Sequence, residues 1–166
     1  MNEVEIVNEK DEVIGTMPKS KAHKNGTLHR IVVIYVENTK DEILVQNRAD
    51  GYLDHSAAGH VKIGESYEQA GRRELSEELG IKDSELKFIG HSKTRNEKYP
   101  GQLVSHVFNI YKCQAEPGEL QKEEVKSVYW ADPHKVLAEM KKDKSKFCAG
   151  FIESLKVYLV TKTTSS

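Results

Sequence analysis

The sequence predicts a single α/β domain in which helices pack on the faces of a mixed β-sheet. The chain has 166 residues, which is an ordinary size for one domain. Segments with strand character alternate with segments of helical periodicity, and most successive strands are separated by short turns. No repeat, linker or low-complexity tract divides the chain. We therefore expect residues 1–166 to form one domain.

The N-terminal segment is predicted to form a hairpin and a short helical turn. Residues 4–7 and 13–16 are apolar segments on either side of a polar turn, which is typical of paired strands. Pro18 is expected to open a helical turn that reaches His23, because proline is tolerated in a first helical turn. This part, about residues 1–28, is predicted to be an extension of the domain.

A buried strand is predicted next. Residues 31–36 are mostly β-branched or aromatic, as in strands that are covered on both faces. Turn-forming residues follow at 38–41, so residues 43–46 are expected to be the partner strand. Residues 49–55 are predicted to be a loop.

The C-terminal half is predicted to contain three strands and then two helices. The three strands are expected at residues 86–93, 103–113 and 125–130. Asp132 and Pro133 form an N-cap followed by proline, which predicts a helix to about Met140. A last helix is expected at about 146–160, where apolar residues recur every four positions: Phe147, Phe151, Leu155 and Leu159. Residues 161–166 are predicted to be frayed.

Composition excludes several classes of protein. The net charge of −1 gives no basic field for nucleic acid. The two cysteines, Cys113 and Cys148, form neither a C-x-x-C motif nor a disulfide framework, so free thiols in a reducing compartment are expected. The N-terminus lacks a signal peptide, and no apolar run is long enough to span a bilayer. These features predict a cytoplasmic protein.

A helix is predicted at residues 66–79, with capping signals at both ends. Ser66 and Gln69 have the spacing of a capping box, and Gly80 can adopt the left-handed C-cap conformation. The predicted buried stripe has a spacing close to four residues: Tyr67, Ala70, Gly71, Leu75 and Leu79. Gly71 in this stripe predicts a close approach of the helix to the sheet.

Three glutamates of this helix lie where helix electrostatics disfavours them. Glu74, Glu77 and Glu78 cluster on the last turns, where like charges repel and acids oppose the macrodipole. A solvated acidic face, with Arg73 partly neutralising Glu77, is one interpretation. The other is that a hard divalent cation offsets the charge, since carboxylate oxygens suit Mg²⁺ and Mn²⁺.

The surrounding sequence pattern favours a bound divalent cation over a solvated acidic face. From Gly59 to Ile81 the sequence resembles the Nudix box, G-x5-E-x7-R-E-U-x-E-E-x-G-U with U aliphatic, at every specified position. The resemblance implies an α/β/α sandwich, with the box as a loop–helix–loop at residues 59–81. It also implies a Mg²⁺-dependent hydrolase, with Mn²⁺ as a substitute, that cleaves a phosphoanhydride bond in a nucleoside diphosphate-linked or related small molecule.

The resemblance also assigns roles to the box residues. Glu74 and Glu78 are expected to be direct Mg²⁺ ligands, and Glu77 a ligand or the base that positions water. Glu65 is expected to be a weaker ligand or an orienting group. Arg73 would hold the glutamates, and Gly59 would allow a tight loop beside the metal. Glu77, Glu78 and Arg73 are thus the predicted catalytic residues.

Residues outside the box are candidates for further roles. In many family members the general base lies outside the box. The candidates here are Glu97, in a predicted loop at residues 95–98, and Glu123 or Glu124, before the strand at 125–130, and each is also readily explained as a surface residue. Loop aromatics could border the substrate: Tyr52, His55 and Tyr99. The lysine-rich stretch 141–146 could touch an anion, although a solvated segment explains it as well.

Within the superfamily, the sequence resembles the isopentenyl diphosphate isomerase branch. The similar positions are residues 14–15, 23, 28–30, 56–60 and 64–66. The isomerases use three histidines to bind a metal, and His23, His29 and His60 match them, which implies a possible second metal site. Two isomerase glutamates should precede residue 107, but residues 100–104 contain no acid. Ala58 replaces the isomerase cysteine.

These differences favour hydrolysis over isomerisation, since protonating an alkene requires an acid at that place. Isomerase-like activity and a non-catalytic nucleotide-binding domain remain the alternatives. The expected partner is a small diphosphate, with no nucleic acid or membrane, and the chain is expected to be a monomer or a homodimer.

Overall fold

The computed structural model describes residues 2–164. Within this range, nine strands form one sheet, accompanied by four α-helices and one 3₁₀ turn at Lys144–Lys146. The strands are β1 (Glu3–Val7), β2 (Val13–Pro18), β3 (His29–Glu37), β4 (Ile43–Arg48), β5 (Leu53–Asp54), β6 (Ala57–His60), β7 (Lys87–Tyr99), β8 (Gln102–Gln114) and β9 (Val125–Ala131). The helices are α1 (Lys19–Asn25), α2 (Tyr67–Leu79), α3 (Pro133–Lys142) and α4 (Phe151–Thr164). No helix in the described part of the chain is both long and apolar enough to cross a membrane.

Strand β3 is the centre of a mixed sheet, as the sequence predicted. It runs parallel to β8 over its whole length and antiparallel to β6. The predicted hairpin of β1 and β2 is also confirmed. The predicted pairing of β4 with β3 is confirmed, but it is confined to Glu37 and Ile43. Strand β6 occupies the edge of β3 that β4 would need, and β4 pairs along its length with β9.

Alternate residues of β3 face two separate apolar layers, because successive side chains of a strand point to opposite faces. Val32 and Ile34 belong to the layer that contains Leu75 and Leu79 of α2. The neighbouring odd-numbered residues of β3 belong to the layer that contains α3 and α4: Ile31, Val33 and Tyr35. A sheet covered by helices on both faces is the predicted α/β/α sandwich.

Several predicted boundaries are wrong. Pro18 ends β2 and caps α1, which continues past His23 to Asn25. The loop predicted at 49–55 contains β5.

In the C-terminal half, the last helix begins at Phe151 rather than near residue 146, because a 3₁₀ turn and an extended Phe147 come first. The predicted frayed tail is helical to Thr164, and its residues 165–166 lie outside the described chain. The predictions for β8, β9 and α3 are confirmed, including the Asp132 cap.

Helix α2 has the predicted caps at both ends. Ser66 and Gln69 form a reciprocal capping box, and Gly80 takes a left-handed conformation with φ of 63°. A Cβ atom on Gly71 would lie 3.1 Å from Leu86 Cδ1 and 3.4 Å from Val32 Cγ2, so glycine permits the close approach of α2 to the sheet. The helix that carries the box glutamates is therefore fixed at both ends and along its buried face.

We expect Gly80→Ala to lower the free energy of unfolding by clearly more than Gly101→Ala. Both glycines have a positive φ, which costs an L-residue about 1–2 kcal/mol. At Gly80 a Cβ would also lie 2.6 Å from the backbone nitrogen of Glu119, whereas at Gly101 nothing lies within 4 Å. Urea unfolding of both variants measures the difference. Equal destabilisation would contradict this account of the α2 terminus.

Candidate active site and histidine cluster

An open cleft of about 1060 Å³ lies beside the C-terminal end of β6 and the last turns of α2. Its lining combines carboxylates, histidines and the Gly59 segment. The carboxylates on its wall are Glu3, Asp50, Asp54, Glu74, Glu78, Glu123 and Glu124, and the histidines are His23, His55, His60 and His106. Acidic and imidazole groups that converge on one cleft make it the candidate functional site.

Glu74 and Glu78 form a buried carboxylate pair on the cleft wall. They lie one turn apart on α2, and their exposed fractions are only 8% and 6%. Gln46 Nε2 donates to Glu78 Oε1 at 2.8 Å. Burial, and then the neighbouring Glu74, raise the pKa of Glu78 well above its usual range. Glu78 thus has too little positive charge around it, and the hard oxygen donors of the two carboxylates suit a divalent cation such as Mg²⁺.

Arg73 holds the box carboxylates in place. Its guanidinium donates through two nitrogens to Glu65, at 2.8 and 3.1 Å, and to Glu74 Oε1 at 2.6 Å. It also donates to Glu77 at 3.3 Å and to the carbonyl oxygen of His60 at 3.0 Å. One side chain therefore links three glutamates of the box to the end of β6.

Gly59 provides the space that Glu74 occupies. A Cβ atom at this position would lie 2.8 Å from Glu74 Cγ and closer still to the carboxylate group. The segment is fixed because β6 pairs with β3, with Gly59 opposite Val32. The glycine of the box is thus needed for the position of a carboxylate, and no unusual φ is involved.

Four histidines from four elements meet beside the cleft, and three of them line it. They are His23 of α1, His29 of β3, His60 of β6 and His106 of β8. The Nε2 atoms of the first three lie 3.2 Å from one another, and the Nε2 atoms of His23 and His106 are 3.4 Å apart. Burial lowers the pKa of His29 to about 4, and it also lowers the pKa values of His60 and His106 well below their usual range. The imidazoles are therefore neutral near pH 7.

Comparison with known proteins agrees with this geometry. The family model of the Nudix domain matches residues 27–151. The chain belongs to the Nudix hydrolase family. It is 31% identical over 159 residues to an isopentenyl-diphosphate Delta-isomerase of Serratia proteamaculans, covering 91% of this chain and 88% of that protein. It is 30% identical over 159 residues to the uncharacterized Nudix hydrolase PA4841 of Pseudomonas aeruginosa, covering 92% and 90%.

The fold of this Nudix hydrolase is also found in a solved structure. The crystal structure of DR0079 from Deinococcus radiodurans superposes with a TM-score of 0.77 at 24% identity, covering 93% of this chain and 97% of that one. The likeness is in the fold: a mixed sheet with helices on its faces.

The structure separates the predicted site residues of this Nudix hydrolase into two groups. Glu74, Glu78, Arg73 and Gly59 line the cleft. Glu77 and Glu65 do not line it: the Glu77 side chain is 56% exposed, and Glu65 is held by Arg73 and by the backbone nitrogen of Lys62. The three predicted histidines meet at one point, as the resemblance implied.

The candidate bases are placed differently from one another. Glu123 and Glu124 lie on the cleft wall. Glu97 does not, and its carboxylate pairs with Lys144 at 3.0 Å. The loop predicted around Glu97 is wrong, because β7 continues through a bulge to Tyr99. Lys144 belongs to the lysine-rich stretch, which contributes no residue to the cleft lining.

The three candidate aromatic residues also differ. Tyr99 lines the cleft and packs against Tyr52, with ring centroids 4.9 Å apart. His55 is buried, and its Nδ1 lies 2.7 Å from Asp54 Oδ1. Its Nε2 lies 2.7 Å from Ser154 Oγ, which resembles a nucleophilic triad. Ser154 is fully buried and donates to the carbonyl oxygen of Phe151, so this chain of hydrogen bonds supports the cleft wall.

Sequence reasoning missed two cleft residues, His106 and Asp54. The isomerase resemblance predicts acids before residue 107, and it gave no reason to expect a histidine at position 106. Strand alternation could have found it, because His106 shares a face of β8 with the buried Val104 and Phe108. Asp54 was missed because residues 49–55 were predicted to be a loop, whereas Asp54 belongs to strand β5.

Proposed function

We propose that this Nudix hydrolase uses Mg²⁺ bound by Glu74 and Glu78 to hydrolyse a diphosphate bond in a nucleoside diphosphate-linked or related small molecule. The observation that carries the proposal is the buried carboxylate pair on the cleft wall. Two carboxylates that share a buried site strongly disfavour ionising together unless a cation offsets their charge. Mn²⁺ is the expected substitute, since it accepts the same oxygen ligands.

A cation held by these residues would supply Lewis-acid stabilisation of the charge that develops on phosphate oxygens, and it would lower the pKa of a coordinated water. The protein residues position these groups. Arg73 orients Glu74 through a 2.6 Å hydrogen bond, and Gln46 orients Glu78. Glu77 and Glu65, both bonded to Arg73, are proposed as outer ligands or orienting groups. Glu123 and Glu124 are the bases available on the cleft wall.

Isomerisation has weaker support in this chain. One relative is named as an isopentenyl-diphosphate Delta-isomerase. Here Ala58 lines the cleft where the isomerase resemblance calls for a cysteine, and His106 lies in the segment where it calls for an acid. An alkene needs a proton donor on this wall, and alanine cannot provide one. An assay for dimethylallyl diphosphate from isopentenyl diphosphate is expected to give no product.

A substrate panel tests the proposed hydrolysis. The protein is incubated with Mg²⁺ or Mn²⁺ and nucleotide sugars, dinucleotides, nucleoside di- and triphosphates or coenzyme A derivatives, and phosphate-containing products are separated by chromatography. We expect metal-dependent cleavage of at least one compound. If every compound stays intact after long incubation with either metal, hydrolysis is rejected in favour of a non-catalytic nucleotide-binding domain.

A further inference from the structure

The histidine cluster, defined as His23, His29, His60 and His106, has contacts that hydrogen bonding alone does not satisfy. An imidazole nitrogen has one site in the ring plane, occupied by either a proton or a lone pair. Three nitrogens in mutual contact can therefore form at most one hydrogen bond among themselves. Yet the Nε2 atoms of His23, His29 and His60 form a triangle with 3.2 Å sides. A cation at the centre would satisfy all three lone pairs.

The tautomer of His29 agrees with metal binding. Its Nδ1 lies 2.8 Å from the carbonyl oxygen of Thr27, which can only accept, so Nδ1 carries the proton. The Nε2 of neutral His29 therefore directs a lone pair into the cluster. A hydrogen bond from the second ring nitrogen to a carbonyl oxygen is the usual support of a metal-bound histidine.

Four of the six nitrogen pairs have the spacing expected around a four-coordinate ion. Ligand nitrogens about 2.0–2.1 Å from zinc lie about 3.3–3.4 Å apart in a regular tetrahedron. The four measured Nε2 pairs are 3.2–3.4 Å apart, and all four ligand nitrogens lie within 4.8 Å of one another. Strand pairing produces this spacing, because His106 lies opposite His29 in the parallel register of β3 and β8.

We propose that the histidine cluster is a nitrogen-only site for a zinc-class transition metal ion, separate from the carboxylate site of α2. The resemblance to the isomerases implied three histidines completed by glutamates, whereas here a fourth imidazole is present. Imidazole suits Zn²⁺, Cu²⁺, Ni²⁺ and Fe²⁺, whereas Mg²⁺ requires oxygen. Four ligands from α1, β3, β6 and β8 would also join the N-terminal helix to the sheet beside the cleft.

Cobalt substitution tests the coordination directly. Protein freed of metal with a chelator is loaded with Zn²⁺ for elemental analysis, or with Co²⁺ for visible spectroscopy. We expect one Zn²⁺ per chain that excess Mg²⁺ does not displace, and a higher melting temperature when Zn²⁺ is bound. We also expect the intense visible absorption of four-coordinate Co²⁺. The weak absorption of six-coordinate Co²⁺, or no bound zinc, would overturn the proposal.

Two variants assign the fourth ligand. His106→Ala is expected to weaken Zn²⁺ binding at least about tenfold, since even supporting residues of metal sites have effects of this size. His91→Ala, at an exposed histidine of β7, is the control and should bind Zn²⁺ like the unmodified protein. Unchanged Zn²⁺ affinity in His106→Ala would overturn the proposal. If this variant does not fold, the Co²⁺ spectrum of the unmodified protein still decides the coordination number.

The carboxylate site is distinguished by Glu78→Gln, which is expected to bind Zn²⁺ and to give the same Co²⁺ spectrum as the unmodified protein. Because this measurement requires no turnover, its result does not depend on whether the proposed hydrolysis is correct. A parallel loss of Zn²⁺ in Glu78→Gln would show that the two sites are one, and it would contradict the proposal.

Discussion

Glu78→Gln is expected to reduce Mg²⁺-dependent hydrolysis at least about a hundredfold. A catalytic metal supplies several kcal/mol of transition-state stabilisation, and each 1.4 kcal/mol is about a factor of ten in rate. Glutamine keeps the shape of the side chain, and its amide oxygen can still accept from Gln46, which lies 2.8 Å from Glu78 Oε1. The measurement is the turnover of the best panel substrate at saturating Mg²⁺.

The stability of this variant separates a functional loss from misfolding. Without metal, Glu78→Gln should be at least as stable as the unmodified protein, because it removes one of two buried like charges. The matched control is Glu68→Gln on the same helix, where an exposed carboxylate pairs with Arg72 at 3.0 Å, and it should keep its activity. Full activity in Glu78→Gln would refute the assignment of Glu78 as a metal ligand.

The second large effect is expected at Gly59, which contributes no functional group. Gly59→Ala should reduce turnover about a hundredfold, because displacing a catalytic group by about 1 Å can have this effect. The added methyl group would overlap the Glu74 carboxylate, whose Oε1 Arg73 holds by a 2.6 Å hydrogen bond. Steady-state kinetics with the panel substrate measures the change.

Gly15→Ala is the matched control, because it also adds a methyl group to a strand glycine. Its nearest neighbours would be two carbon atoms of Ile6 at 3.5 Å, which is an ordinary contact, so activity should be unchanged. Circular dichroism should show that Gly59→Ala remains folded, since Glu74 is a side chain that can move. Normal turnover in the folded variant would contradict the claim that Gly59 is needed to keep the Glu74 carboxylate in its catalytic position.

Local signals explain why the α2 helix could be predicted so fully. Its capping box, its terminal glycine and its apolar stripe all lie within residues 66–80, and each acts over one or two turns. The crowding of Glu74 and Glu78 was also readable, because residues four apart in a helix are neighbours. The structure adds that this pair is buried whereas Glu77 is exposed, which depends on where the sheet lies.

Features that depend on distant segments could not be predicted in this way. The main partner of β4, strand β9, was missed because β6, a four-residue strand that runs into the box, pairs with most of that edge of β3. Glu97 was expected in a loop, but β7 accommodates a bulge there, with Asn96 at a φ of 49° and its nitrogen bonded to Ser105 Oγ. The histidine cluster depends on the register of β3 and β8, which no single segment specifies.

The most direct test of the proposed site is the binding of Mn²⁺ to zinc-loaded protein, followed by the electron paramagnetic resonance signal of free Mn²⁺. The buried pair of Glu74 and Glu78 predicts that the unmodified protein removes Mn²⁺ from solution and that Mg²⁺ competes for the same site. It also predicts at least about tenfold weaker binding in Glu78→Gln, because one of two carboxylate ligands is lost. Equal Mn²⁺ affinity in both proteins would contradict the assignment of the metal to this pair.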